Sequence, residues 1–231
     1  MSSLELEACN LDFSKIRSTE AVIFDGEGPC SRITSSSPSY IRFDIQIIGK
    51  AAHAGMEPEK GLSAIKIAAE LITNIPQGRI DAQTTSNIGI IEGGSARNAV
   101  PEAVKIKGEF RSSNKKMLES LNLQIEQAIT ETERLYPEAK IETNMETEFE
   151  YYFLDSDDKF LQKIRTTLLE IDLDPKMKPS GGGTDGNVFR KKGIDAVVVG
   201  MATYNMHTVR EYVAISELVD ASRLCETLLK Y

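Results

Sequence analysis

The chain has 231 residues, 41% of them hydrophobic, and a formal net charge of −8. This length permits one large domain or two modest domains, each with a buried core. The acidic balance argues against a general nucleic-acid-binding protein, which needs a basic face to neutralise phosphates. No apolar run approaches the roughly 20 residues of a membrane span, and the first residues lack the features of a secretory signal. Three widely spaced cysteines favour reduced thiols, so we expect a cytoplasmic protein without nucleic-acid or membrane partners.

The N-terminal part contains a short apolar strand at 21–24, followed by a turn-rich sequence at 25–29. The glycines and the proline after the strand are typical of a turn. A polar, serine-rich segment follows at 31–39, and we interpret it as a connection between elements.

From residue 40 onward the hydrophobic pattern becomes more regular. Alternation of apolar and polar residues predicts strands, and apolar residues at helical spacing predict helices. The resulting β-α-β-β-α-β order is the signature of a ferredoxin-like α+β sandwich, with an antiparallel sheet and two helices on one face. We therefore predict such a domain at residues 38–152. Its expected elements are strands near 40–47, 87–91, 104–110 and 140–152, and helices near 62–72 and 117–135, the second capped by Ser113 or Asn114.

The remaining sequence is predicted to form one α/β domain from residues 1–37 and 153–231, interrupted by the ferredoxin-like domain. The run at 196–199 is wholly apolar, which is typical of strands in parallel sheets that are covered on both faces. The other expected elements are helices near 160–169 and 216–229, and a short helix that begins after a glycine-rich turn at 180–185.

Two residues are candidates for metal binding. Asp25 follows a predicted buried strand, where open α/β sheets place ligand-binding groups, although an Asp-Gly pair also suits a simple tight turn. His207 lies in a loop after the apolar strand, and Glu211 four residues later could support its imidazole by a hydrogen bond. An ordinary surface histidine is the alternative for His207, and the pattern alone leaves both alternatives open.

The glycine-rich turn presents several backbone N–H groups at a helix start, which favours an anion or a substrate carboxylate. It lacks the lysine and the spacing of a nucleotide-binding P-loop. The alternative is a structural turn with Thr184 or Asp185 as the helix N-cap.

Three polar residues of the predicted ferredoxin-like domain are further candidates. His53 is flanked by small residues, which would allow a backbone to approach a ligand closely. Arg111 ends a strand and could clamp a carboxylate with two hydrogen bonds, and Asn98 lies in a loop between two strands. Each of the three, taken alone, also suits an ordinary surface position.

Five segments occur in one order along the chain: 24–29, 49–61, 87–101, 180–185 and 207–213. In that order they resemble the peptidase T-like aminotripeptidases of the dinuclear-zinc metallopeptidase family. Relatives in that family include carboxypeptidase G-type enzymes, succinyl-diaminopimelate desuccinylase and acetylornithine deacetylase. The resemblance extends over essentially the whole chain. It implies a short peptide as substrate, and it implies that the ferredoxin-like domain is a lid and dimerisation domain of a homodimer.

The resemblance also implies a role for each candidate residue. A complete site would hold two zinc ions, with Asp25 as a ligand of one and His207 as a ligand of the other. His53 would be the catalytic histidine of the lid, which in such dimers reaches the partner's active site and polarises the scissile carbonyl. The implied substrate-binding residues are Asn98, Arg111 as the anchor of the peptide carboxylate, and Gly182, Gly183 and Thr184 in the pocket wall.

One departure from the family pattern is large. Family members carry a His-x-Asp motif, a metal-bridging Asp and a Glu-Glu pair upstream of the region that this chain resembles, and the first Glu is the general base. This chain contains neither His-x-Asp nor Glu-Glu, so it resembles the C-terminal part of such a peptidase. A catalytic zinc generally needs three protein ligands and a water. We therefore expect the chain alone to bind zinc weakly and to be inactive.

Three alternatives remain at this stage. The chain could be a non-enzymatic dimerisation or binding module, a part of a related amidohydrolase of the deacetylase or desuccinylase type, or a regulatory ligand-binding domain. Stoichiometric zinc binding would favour the peptidase over the non-enzymatic module, whereas binding of a small effector without metal would favour the regulatory domain.

Overall fold

The structure is a computed structural model that describes residues 7–206 and 208–230. The described residues divide into two compact units. Unit 1 combines the described residues up to Pro38 with those from Phe149 onward, and unit 2 is Ser39–Glu148. The mixed α/β class expected from the sequence is confirmed. The division into domains at 1–37 with 153–231 and at 38–152 stays a prediction, because compactness alone does not show that a unit folds independently.

The helices and strands are numbered in chain order. The strands are β1 (Glu20–Glu27), β2 (Arg32–Ser37), β3 (Ser39–Ile48), β4 (Ala52–His53), β5 (Gly78–Asp81), β6 (Thr84–Gly93), β7 (Ala99–Val100), β8 (Ala103–Ser112), β9 (Lys140–Phe149), β10 (Tyr152–Phe153), β11 (Lys176–Pro179), β12 (Asp195–Tyr204) and β13 (Tyr212–Val213). The helices are α1 (Ala64–Asn74), α2 (Lys115–Leu135), α3 (Lys159–Glu170), α4 (Asp185–Lys191) and α5 (Ile215–Leu228). None of these helices is long and apolar enough to cross a membrane.

Unit 2 has a five-stranded sheet in the order β5-β6-β8-β3-β9, on which α1 and α2 pack. Its main elements follow the predicted succession: β3, α1, β6, β8, α2, β9. The alternating pattern of β3 places Phe43, Ile45 and Ile47 in the core, opposite apolar residues of β8. Asn114 caps α2, because its side chain accepts hydrogen bonds from the backbone N–H groups of Lys116 and Met117. The sequence had left this cap open between Ser113 and Asn114.

Unit 1 contains a sheet in the order β1-β12-β2-β10, with β11 beside β2 and β13 beside β12. Strands β1 and β12 run parallel, and the apolar run 196–199 in β12 is completely buried, as predicted. Helices α3 and α5 both pack against β12 and close one core with it.

The serine-rich segment at 31–39 is not a connection, and this prediction was wrong. Residues 32–37 form β2, and the segment ends in the first residue of β3. Ile33 is buried in the core, while the hydroxyl of Ser37 hydrogen-bonds the Gly182 carbonyl at 2.9 Å. Hydrogen bonds to distant residues therefore stabilise a strand whose local composition favours a turn. The short strand β11 was also missed, and it is exposed along its whole length.

Substitution of Gly108 in β8 provides a test of the packing of unit 2. Gly108 lies opposite Phe43, and a methyl group at residue 108 would overlap the Phe43 ring. We expect Gly108→Ala to lower the free energy of unfolding by about 1–3 kcal/mol, because the ring is fully buried and has little room to move. Urea unfolding followed by circular dichroism measures this loss.

Gly89→Ala in the neighbouring strand β6 is the matched control. Its methyl group would meet just the end of the Asn87 side chain, at 3.4 Å, so its cost should be clearly smaller. Equal losses in the two variants would contradict the proposed overlap with Phe43.

Candidate functional site

An open cavity of about 390 Å³ lies in unit 1 at the carboxyl end of β1. Asp25 and Glu27 come from β1, and Asn205 follows the end of the parallel strand β12. The carboxyl ends of adjacent parallel strands are where open α/β sheets bind ligands. Gly183 and Thr184 of the glycine-rich turn also line this cavity. Two motifs that are about 160 residues apart in the sequence thus meet in one cavity.

Asp25 lies within β1 and not just beyond the strand as expected. The register between β1 and β12 shifts between Phe24 and Gly26, and Asp25 occupies the irregular position. Gly26 allows this close pairing, since a methyl group there would lie 3.0 Å from the Val199 carbonyl oxygen. The Asp25 carboxylate accepts a hydrogen bond of 3.2 Å from the backbone N–H of Asp185, at the start of α4. A carboxylate at that end of the helix is favourably placed.

The end of β12 is also irregular. Ala202 is buried and has a positive φ of 63°, a conformation that costs energy for a residue other than glycine. Backbone hydrogen bonds hold it on both sides, because its N–H donates to Gly28 and its carbonyl accepts from Ala214. The chain beyond it brings the Asn205 N–H to 3.3 Å from a Glu27 carboxylate oxygen.

The glycine-rich turn is held by the buried side chain of Asn187. Its carbonyl oxygen accepts a hydrogen bond from the Thr184 N–H at 2.9 Å, and its amide donates to the Glu150 carbonyl at 2.7 Å. Thr184 is the N-cap of α4, as the structural alternative for this turn predicted, and binding of an anion by the turn stays a prediction. Gly183 has no space for a side chain, since a methyl group would overlap the Phe149 ring.

The three pocket residues implied by the family resemblance differ in position. Gly183 and Thr184 line the cavity, whereas Gly182 is not among its described lining residues. Behind Thr184 lies Tyr152, whose hydroxyl is 3.3 Å from the Thr184 hydroxyl. Burial raises the pKa of the Tyr152 phenol above its ordinary value, so this group stays protonated near neutral pH. The role of all three residues in substrate binding stays a prediction.

The cavity also contains residues that the sequence did not identify as candidates. Arg32 and Lys178 contribute cations from β2 and β11, and Glu27 contributes a second carboxylate beside Asp25. Glu27 lies next to the Asp-Gly pair and could have been found from that motif. Arg32 and Lys178 could not, because the two strands that bring them together were not predicted.

The metal site remains incomplete in the described part of the chain. His207, the second predicted zinc ligand, lies outside the described residues. Among the residues that are described, no group of three or more His, Cys, Asp or Glu side chains is placed to hold a metal ion. Zinc sites in proteins normally use three or four such ligands. The described residues alone therefore do not fit a zinc site.

In unit 2, His53 and Asn98 lie close together. His53 in β4 pairs with Ala99 in β7, and the Ala54 N–H donates a 2.9 Å hydrogen bond to the Asn98 carbonyl. The exposed imidazole accepts a hydrogen bond at Nδ1 from the Gly55 N–H, at 3.2 Å. In the neutral ring this leaves Nε2 as a donor toward solvent. That is the form which could donate a hydrogen bond to a carbonyl oxygen.

Arg111 already holds a carboxylate. Its guanidinium forms two hydrogen bonds to Glu109, of 3.0 and 2.9 Å, and lies 4.6 Å from the centre of the Tyr40 ring. Burial and the neighbouring Glu109 charge raise the pKa of Tyr40 to about 12. The stacking and the paired hydrogen bonds fix the guanidinium in one orientation. A substrate carboxylate would have to displace Glu109 from this position.

Arg111 lies near the end of β8, whereas the strand that pairs with His53 precedes the start of β8. His53 pairs with β7, which ends just before β8 begins at Ala103, whereas Arg111 is eight residues further along β8. At about 3.3 Å per residue, the stretch of β8 from Ala103 to Arg111 is about 26 Å long. We therefore expect that unit 2 does not bring these two candidates to one point.

Most of unit 2 matches a known protein-family model. Residues 36–137 match the M20 family model that is described as a peptidase dimerisation domain. This part of the chain is similar to that dimerisation domain. The matched part coincides with β3 to α2 of unit 2 and includes His53, Asn98 and Arg111.

Most of the chain is similar to bacterial proteins that include an aminopeptidase and a tripeptidase. The protein YqjE of Bacillus subtilis is 32% identical over 95% of this chain. The crystal structure of aminopeptidase PepT from Bacillus cereus is similar over 95% of the chain, with 31% identity and a TM-score of 0.83. A tripeptidase from Staphylococcus aureus is similar over 96% of the chain, with 26% identity and a TM-score of 0.86. The chain spans 59% of the length of each of these three proteins.

A more distant M20 protein shares the fold. The YXEP protein of Bacillus subtilis is 18% identical, with a TM-score of 0.65 over 90% of this chain and 55% of its own. It is described as a dinuclear metal-binding peptidase of the M20 family. At this level of identity the comparison concerns the fold, and the metal belongs to that protein.

The hydrogen bonds of Asn187 give a prediction for the cavity wall. We expect Asn187→Ala to lower the free energy of unfolding by about 2–4 kcal/mol, because it leaves the Thr184 N–H and the Glu150 carbonyl without their partner. Asn122→Ala on the exposed face of α2 is the control and should change it by less than about 0.5 kcal/mol. Similar small losses in both variants would show that Asn187 does not hold the turn.

Proposed function

We propose that this chain forms part of a zinc-dependent M20 peptidase that hydrolyses short peptides. The observation that supports this proposal most directly is the cavity at the carboxyl end of β1, where Asp25 meets Gly183 and Thr184. These residues come from separate motifs that resemble the family. The similarity to an aminopeptidase and to a tripeptidase makes an aminotripeptidase the favoured activity.

In this proposal the chain supplies one part of the metal site. Asp25 would bind one zinc and His207 the other, and the remaining ligands and the general base would belong to the part of the relatives that the chain does not span. When bound, the zinc ions would polarise the scissile carbonyl and lower the pKa of a bound water. Because Asp25 and His207 contribute at most one ligand to each ion, the chain alone should bind zinc weakly and be inactive. A cytoplasmic location is part of this proposal, since a reducing compartment suits the odd number of cysteines.

The family resemblance assigns contacts with the substrate to three residues of unit 2. Arg111 would take the peptide carboxylate after exchange with Glu109, and Asn98 would hydrogen-bond the peptide. His53 would donate a hydrogen bond from Nε2 to the scissile carbonyl. An extended tripeptide is at most about 11 Å long, whereas the stretch of β8 from Ala103 to Arg111 is about 26 Å long. Because the tripeptide is shorter than this stretch, we expect it not to reach both His53 and Arg111 of the same unit 2.

We propose a homodimer as the solution to this separation, with His53 of one copy serving the substrate of the other. The edge of β6 is the proposed contact surface. Within the described residues, the pairing of β5 with β6 ends at Ser86. The outer edge of β6 from Asn87 onward therefore has no neighbouring strand among these residues. Ile90 and Ile91 are about half exposed on this edge. Open strand edges of this kind pair readily with a second copy.

The exposed apolar surface continues from β6 onto α1. Ile91 pairs with the buried Ile106 and therefore faces the side of the sheet that carries the helices. Ile65 of α1 reaches within 3.5 Å of the position that a methyl group at Gly94 would occupy, just after β6. The edge of β6 and the exposed part of α1 thus form one apolar surface. Burial of such a surface would stabilise a dimer.

The first test of the function is tripeptide hydrolysis by the chain, supplied with excess zinc or cobalt. We expect no turnover, because the described residues do not complete a metal site. A chimera that adds the N-terminal part of Bacillus cereus PepT should regain hydrolysis, and Asp25→Asn in the chimera should lower kcat at least about 100-fold.

Two outcomes would contradict the proposal. Clear metal-dependent turnover by the chain alone, abolished by His207→Ala, would mean that other carboxylates complete the site. A folded chimera that neither binds zinc nor hydrolyses peptides would favour the non-enzymatic module.

The dimer is tested by sedimentation of the chain and one variant. We expect the chain to sediment as a dimer of 25.5 kDa protomers and Ile91→Lys to sediment as a monomer, because a charge at this edge loses its water on pairing. Leu123→Lys, at a comparably exposed apolar residue of α2, should remain dimeric. If Leu123→Lys dissociates the dimer and Ile91→Lys does not, the contact surface involves α2 and not β6.

A further inference from the structure

One wall of the cavity carries positive charge that the proposed metal site does not use. Arg32 and Thr34 of β2 and Lys178 of β11 lie along this wall. The two strands are parallel, with Lys176 opposite Arg32 and Lys178 opposite Thr34. Side chains two residues apart on a strand point to the same face, so Arg32, Thr34 and Lys178 share one surface.

Lys178 has no carboxylate partner within the part of the chain that the structure describes. Lysines on protein surfaces are commonly solvated in this way, so this observation alone would not indicate a ligand. Arg32, by contrast, has a partner, because Nη1 lies 3.5 Å from a Glu27 carboxylate oxygen. Lys178 is therefore the uncompensated charge on this wall.

Thr34 supplies a second, independent observation. Its side chain lines the cavity although the residue is just 8% exposed. Its hydroxyl makes no hydrogen bond to any residue that the structure describes. The hydroxyl itself is not among the fully buried side-chain atoms that lack a partner, so it is open to the cavity. It is therefore placed to donate a hydrogen bond to a ligand group that enters the cavity beside Lys178.

We propose that this wall binds a carboxylate on the side chain of the peptide, so that the cavity prefers peptides containing Glu or Asp. This inference rests on the proposed function, because it assumes that a peptide enters the cavity. Lys178 would pair with the carboxylate, and Thr34 would donate a hydrogen bond to it. Asp25 and Glu27 lie in the same cavity and repel anions, so the acidic group must bind away from them, at the wall of Lys178.

The experiment is a titration of the ¹⁵N-labelled 231-residue chain with tripeptides, followed by amide chemical shifts. This measurement detects weak binding and locates it, and it needs neither metal nor turnover. Ala-Glu-Ala and its uncharged isostere Ala-Gln-Ala are the matched probes. We expect Ala-Glu-Ala to bind about five- to tenfold more tightly, with the largest shifts at residues 178–184, because a hydrogen bond to a charged group is stronger than one to a neutral group. The C-terminally amidated forms of the two peptides should show the same preference, because the side-chain carboxylate and not the C-terminal carboxylate is responsible for it.

Three variants distinguish the roles on the wall. Lys178→Met should reduce the preference for Ala-Glu-Ala to less than about twofold, and Thr34→Val should weaken its binding by about threefold. Lys176→Met is the matched control, because residue 176 lies on the same face of β11 but does not line the cavity, and it should keep the preference.

The outcomes separate this inference from the proposed function. Equal binding of the two peptides in the cavity would overturn the acidic preference and leave a peptide site. Equal binding of the two peptides that is lost when both are C-terminally amidated would assign the wall to the C-terminal carboxylate and overturn the side-chain assignment. Absence of shifts in the cavity with either peptide would contradict both the preference and the proposed peptide site in the chain.

Discussion

The buried amide of Asn187 is the interaction on which the cavity depends most. It joins the start of α4, the backbone at Glu150 and the hydroxyl of Ser37, which lies 2.8 Å from the Asn187 carbonyl oxygen. These segments are up to 150 residues apart in the sequence. A buried polar group of this kind is costly unless all its hydrogen bonds form together. The position of the glycine-rich turn is therefore coupled to the position of β2, and β2 carries the cationic wall.

The same coupling explains which parts of the fold could be predicted. The strands β3 and β8 can be predicted from the alternation of apolar and polar residues, because each strand buries one face and exposes the other. The strand β2 has no such signal. Its last serine, Ser37, donates a hydrogen bond to the Gly182 carbonyl, which is 145 residues away, and local sequence does not encode such a contact. Periodicity therefore predicts elements that are stabilised by burial and misses those that are stabilised by distant hydrogen bonds.

The candidate site divides along the same line. Asp25 and the glycine-rich turn could be found because an acidic residue after an apolar strand and a run of glycines are visible in the sequence. The pairing of Arg111 with Glu109 could not be predicted, because nothing in the sequence pattern shows that the Glu109 carboxylate accepts hydrogen bonds from the Arg111 guanidinium. Lys178 was missed for a different reason: its significance depends on the pairing of β11 with β2.

Charge balance explains why such local details would decide substrate choice. The chain has a net charge of −8, so an acidic peptide is repelled at long range. Salt at physiological strength screens this repulsion beyond about 8 Å. Selection of a carboxylate must then arise within hydrogen-bonding distance, from cations that the protein does not already neutralise. Arg111 is paired with Glu109, and Arg32 is paired with Glu27. Each arginine must give up its own carboxylate partner before it can bind the carboxylate of a ligand. Among the described residues Lys178 has no carboxylate partner to exchange, so it would contribute more to binding an acidic side chain than either arginine.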